Sequence, residues 1–238
     1  MRKILAVTAA VALLAGAAIL AGLPWPGLAG AQGGGGTVEV EVKYSGTAVV
    51  EKLKINKDTE KCGTEAKHEK VVVGPTKGLA NAVAMVPGAK ATAKPKKATL
   101  DQKGCEYAPH VVAMQAGGEL EILNSDGILH NVKSGAGTAN PPFNESMPKT
   151  RTKPVTKKFD KPEVIRVECS VHSWMLGYVA VAPNELTGVS DQSGVIKLEN
   201  VPAGKQKIDV WHETLGKQSK EVEVKAGQTT KVSFEMKK

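Results

Sequence analysis

Residues 164–181 read VIRVECSVHSWMLGYVAV. Val164–Val167 and Tyr178–Val181 are short runs rich in β-branched residues, as strands are. Between them, Cys169-Ser-Val-His172-Ser-Trp-Met175 is too short to be anything but a loop joining two strands. The same signal recurs on either side. Val38–Tyr44 alternates Val and Glu, the period-two pattern of a half-buried strand. Val49–Ile55, Val71–Val73, Ala80–Val86, Val111–Met114 and Leu120–Leu123 follow, separated by Gly, Pro, Asn and Asp. Beyond the leader no stretch has a 3.6-residue apolar period, so the chain reads as all-β, a sandwich or barrel. Gly135–Asp160, rich in Pro, Asn and Lys, is expected to be mostly loop.

A second unit is expected from residue 183. It contains Leu186–Val189, Val195–Leu198, Gln206–Trp211, Ser219–Val224 and Thr230–Phe234, with turns at Asp191–Gly194, Asn200–Gly204 and Ala226-Gly227. Five short strands in so few residues predict a small β-sandwich that packs on the first domain. The expected organisation is therefore a leader at 1–31, a Gly-rich leash at 32–36, a first domain at 37–182 and a second at 183–238.

The 238 residues include only nine aromatics, so Val, Ile and Leu must fill the core. Net charge is +8; without Arg2 and Lys3 there remain 30 basic and 24 acidic residues. The lysines are scattered among acids and no aromatic-interleaved basic stripe exists, which argues against nucleic acid as a partner. The densest positive run, Lys149 to Lys161, is either a solvated face or a steering patch for an acidic partner protein.

Arg2 and Lys3, the apolar run after them and Ala29-Gly30-Ala31 read as a cleaved secretory signal. An uncleaved anchor is the competing reading, because about 20 apolar residues span a bilayer. Either way the body is expected outside the cytoplasm, periplasmic or extracellular, with membrane contact only if the leader stays uncleaved. In such an oxidising setting three cysteines leave one over. Cys62 and Cys105, both in turn-like settings, are the expected disulfide. Cys169 is then alone and needs a use.

That use is supplied by its neighbours. Cys169, His172 and Met175 form a C-x2-H-x2-M loop, and His130 follows the turn Asn124–Gly127. A thiolate, two imidazoles and a thioether are a soft donor set that selects copper over hard cations. Zinc rarely takes Met. A binuclear copper centre would need a second Cys in the loop. A cysteine hydrolase would not place nucleophile and base three residues apart on one loop.

These residues resemble the cupredoxins, the plastocyanin, amicyanin and pseudoazurin group. Asn124-Ser-Asp-Gly-Ile-Leu-His130-Asn131-Val132 is similar to the segment that holds their first His ligand. The short C-x2-H-x2-M loop is similar to amicyanin's. More closely, the chain resembles exported methylamine-utilisation-like proteins, on Cys62-Gly63, Gly104-Cys105-Glu-Tyr-Ala-Pro109-His110, Asn124–Asp126, His130–Val132 and Cys169–Met175. Asp191–Gly194, Asn200–Gly204 and Val210–His212 resemble carboxypeptidase regulatory-like, transthyretin-like sandwiches.

The resemblance implies a cupredoxin Greek-key β-sandwich followed by a small transthyretin-like one. It implies a single type 1 copper held by His130, Cys169 and His172 with Met175 axial, and an Asn131 backbone N–H donated to the cysteine sulfur. It further implies an edge of His172 open to solvent within an apolar docking patch, for which Phe143 and Trp174 are the candidates. The implied role is electron carriage, not catalysis, with a c-type cytochrome or a dehydrogenase as partner. The competing reading is a non-redox envelope or partner-binding β-sandwich protein with copper absent or incidental. His110 is expected to be structural, His212 structural or at the surface, and His68 exposed.

Overall fold

The computed structural model describes residues 34–135, 139–151 and 153–238, with the side chains of residues 67–69 outside the description. The expected leader and the first two residues of the leash lie outside it, as does the side chain of His68. Among the described residues the protein is all-β, with one helical turn, Thr59–Cys62. No helix of the described residues is long and apolar enough to cross a membrane.

The strands build two apolar cores. One is lined by Leu100, Leu120, Ile122, Phe159, Ile165, Val167 and Val179. It draws on a five-stranded sheet in the order Asn144–Met147, His130–Ser134, Glu163–Glu168, Leu176–Ala182, Val111–Gln115. The other contribution is a four-stranded sheet in the order Val155–Phe159, Gly118–Asn124, Ala98–Gln102, Tyr107–Ala108. The Gly135–Asp160 stretch expected as loop thus carries two strands. Asn144–Met147 has too little apolar content to signal itself and is held as an edge strand by pairing with His130–Lys133.

The second core contains Val38, Val40, Val42, Ala84, Ile208, Val210, Val224 and Phe234. Here the chain departs from a division at residue 182. Gly36–Tyr44 pairs antiparallel with Val195–Val201 and parallel with Thr229–Met236. Val83–Met85 pairs with Thr187–Val189 and with Gly204–His212. Both early strands, expected in the first domain, bury their apolar faces among C-terminal strands. Alternation predicts a strand and its buried face but not its partner.

The seam between the cores is apolar at Val83, Val111 and Ala180, with Trp211 against Tyr178 at 5.3 Å between ring centroids. His110 Nε2 meets Glu213 Oε1 there. His212, 1% exposed, accepts the Thr214 N–H at Nδ1 (3.2 Å). Both histidines are thus tied into the structure. Burial drives the His212 pKa down to about 4, against the pull of Glu213 and with the push of His110. The folded imidazole is neutral where the unfolded one, near 6.5, takes a proton. Between pH 6.5 and 4 the unfolded chain therefore binds more protons, and stability falls on acidification by up to about 1.4 kcal/mol per pH unit from this group. His212→Gln is expected to flatten that window in urea titrations; an unchanged slope would remove His212 as its cause.

Candidate metal centre

The centre lies at one end of the five-stranded sheet. Glu163–Glu168 and Leu176–Ala182 pair antiparallel with Glu168 opposite Leu176, so residues 169–175 close a tight connection. Its backbone is fixed by the Met175 N–H to the His172 carbonyl (3.0 Å) and the Cys169 N–H to the Met175 carbonyl (3.4 Å). On the other side Glu168 pairs with Lys133, which brings His130 and Asn131 alongside Cys169.

The turn before His130 is built by side chains. Asn124 Nδ2 donates to the Ile128 and Met147 carbonyls, both at 2.8 Å, and Asn124 Oδ1 accepts the Asp126 N–H. Gly127, at φ 70°, lets the chain reverse there. Asp126 then faces inward and accepts the backbone N–H groups of Gly104 (2.6 Å) and Cys105 (2.8 Å).

These elements bring His130, Cys169 and His172 together, all buried, with one ligand atom of each within 4.8 Å of the others. His130 Nδ1 and His172 Nδ1 are 2.8 Å apart, and Cys169 Sγ lies 3.9 Å from His172 Nδ1. The sulfur accepts the backbone N–H groups of Asn131 and His172, each at 3.4 Å. The Asn131 donor is thus in the place expected for it. Met175, 2% exposed, packs in the same core as Cys169.

The outer nitrogens are also held. His130 Nε2 is 2.9 Å from Asp126 Oδ2, and His172 Nε2 is 2.8 Å from Asp58 Oδ2. A carboxylate only accepts, so each Nε2 carries its proton. Both Nδ1 atoms then turn inward, toward each other and, for His172, toward the Cys169 sulfur. Burial lowers the His130 pKa, against the opposing pull of Asp126, and favours the neutral ligand form. For Asp126 burial acts upward, but the hydrogen bonds from Cys105, His130 and Gly104 prevail and hold it below the ordinary carboxylate value. The donor set and its orientation fit a soft, late transition metal.

The Cys62–Cys105 disulfide is present. It takes Cys105 out of a second cluster, with Asp126 and His130, that its thiolate would otherwise complete. Cys169 is the free cysteine.

Two expectations at the surface need correction. His172 has no open edge: it is 0% exposed, because Asp58 from the Val49–Lys54/Glu65–Val71 hairpin covers its outer nitrogen. Trp174 is buried too, donating its indole N–H to the Cys105 carbonyl (3.1 Å) with its ring 5.0 Å from that of His172. Phe143 is half-buried, 6.1 Å from Phe159, with Lys157 Nζ over its ring. Asp58 and Asp126 are the residues that sequence reasoning did not single out. Asp126 lies in the quoted turn, but Asp58 is one acid in a polar turn, with only its spacing from Cys62 to mark it.

No family model matches the chain, and no curated protein does. Among solved structures, it is similar to a copper-containing nitrite reductase from Thermus scotoductus (23% identity, TM-score 0.34), over 40% of this chain and 24% of that one. The chain thus spans about a quarter of that reductase's length. It is also similar to a purple cupredoxin from Nitrosopumilus maritimus (18% identity, TM-score 0.31), over 36% of this chain and 99% of that one. A reduced amicyanin variant matches at 18% identity and TM-score 0.33, over 41% of this chain and 97% of that one.

Proposed function

We propose that the protein is an exported type 1 copper protein that carries single electrons between redox partners and is not itself an enzyme. The observation that supports this is the convergence of one buried thiol and two inward-facing imidazoles, with Met175 at the end of the same loop. His130, Cys169 and His172 would hold the metal, with Met175 as a weaker fourth donor. Copper supplies a one-electron couple there. The chain's own part is to hold the donors in place through the 169–175 loop, Asn131 and the two carboxylates, and to keep water out of the site. Rigid donors reduce the rearrangement between oxidation states. A c-type cytochrome or a dehydrogenase is the partner class, in the periplasm or outside the cell. The finer kinship, to methylamine-utilisation-like proteins with a transthyretin-like tail, belongs to the same reading.

The test is a visible spectrum of residues 32–238 after addition of Cu(II). An intense thiolate-to-copper band that bleaches with ascorbate and returns on oxidation is expected. A folded chain with a free Cys169 thiol and no band would favour the non-redox binding protein. Met175→Leu is expected to retain copper and raise the reduction potential, since a donor to Cu(II) is lost. An unchanged potential in voltammetry would remove Met175 from the ligand set.

A further inference from the structure

Asp58 precedes the helical turn Thr59–Cys62 and stands in the left-handed region (φ 49°, ψ 38°). Its carbonyl accepts the N–H groups of Lys61 (2.9 Å) and Cys62 (2.8 Å), which leaves its side chain free to reach His172 Nε2 at 2.8 Å. Four residues on, Cys62 is bonded to Cys105. The backbone N–H of Cys105, with that of Gly104, holds Asp126 against His130. The Cys105 carbonyl also takes the indole N–H of Trp174, two residues beyond His172. One covalent link therefore joins the segment that carries the partner of His172 to the backbone that holds the partner of His130 in place.

A histidine near the mouth of a site has two nitrogens to turn inward and two positions for its proton. An acceptor on the outer nitrogen settles both. We propose that Asp58 is a positioning residue for the metal centre. It takes the Nε2–H of His172, leaves Nδ1 as the nitrogen turned to Cys169, and closes the outer edge of the imidazole as a cap tethered by Cys62–Cys105. The consequence for copper rests on His172 being a ligand. The held proton and the closed edge are properties of the copper-free chain.

The experiment uses that copper-free chain with its disulfide intact. In long-range 1H–15N spectra the His172 Nε2–H is expected as a resolved, slowly exchanging signal, and diethyl pyrocarbonate is expected to leave His172 unmodified. Asp58→Ala should lose the signal and expose His172 to the reagent. Asp58→Asn, whose amide carbonyl accepts the same N–H, should keep both native properties. After loading, Asp58→Ala should bind copper about 10- to 100-fold more weakly, the range for loss of a ligand's outer partner. A folded Asp58→Ala chain with the signal retained and His172 still protected would overturn the proposal. So would a native chain whose His172 reacts readily or shows no held Nε2–H, a result that needs no variant to fold. If the proton behaves as expected while the native chain gives no blue band, the copper assignment fails and the positioning role stands.

Discussion

Cys169→Ser is expected to abolish the intense visible band of the copper-loaded chain while leaving its β-sheet circular dichroism unchanged. The band requires charge transfer from a soft thiolate to Cu(II), and a serine oxygen is a hard, poorly donating replacement. The fold should survive because the change is nearly isosteric at a site 4% exposed. The two N–H groups aimed at the sulfur, from Asn131 and His172, would find an oxygen acceptor in its place. Neither donor is left unpaired, so the stability cost should stay within about 1 kcal/mol. Histidine and methionine alone could still hold some copper, and metal content should therefore fall less than absorbance. If the visible band survives in the serine variant, Cys169 is not the ligand and the type 1 assignment fails with it.

What could be read in the sequence follows from how local each feature is. Val38, Val40 and Val42 are fully buried and alternate with Glu39 and Glu41, so the strand and its inner face were legible. Its neighbours, Val195–Val201 and Thr229–Met236, lie more than 150 residues away, and nothing in the alternation names them. The ligand loop was legible because it is a connection between paired strands, where spacing alone sets which side chains converge. Ala98–Gln102 escaped notice because one of its buried positions is Gln102, whose amide donates to the Leu123 carbonyl. Buried polar side chains break an apolar pattern even where the backbone is regular. The open edge expected at His172 failed for a related reason. Asp58 reaches it across 114 positions of sequence, and only the Cys62–Cys105 link gives a hint of the approach.

Removing that link should have a large effect on stability. The cysteines are 43 residues apart, and on the chain-entropy account closing such a loop constrains the unfolded state by about 4 kcal/mol. Cys105 is buried in the core that contains the metal-site loop, and Cys62 packs against it. The loss in Cys62→Ala/Cys105→Ala should therefore appear in the unfolding of that core, followed, with Trp211 replaced by Phe, by the emission of Trp174, which is buried there. The described residues build two main cores, so the probe matters: a global signal could mix two transitions. A second consequence separates this link from a generic staple. Freed of it, the Asp58 turn and the Gly104-Cys105 backbone lose their common anchor, and with them the groups that hold His172 and His130. The double variant should thus lose copper affinity even under conditions where it is fully folded. A variant destabilised as expected but binding copper as tightly as the native chain would show that the disulfide braces the core and does not brace the site. A variant within about 1 kcal/mol of the native chain would show that the unfolded state is already compact around this loop, since residual structure there removes the entropy the bond would otherwise restrict.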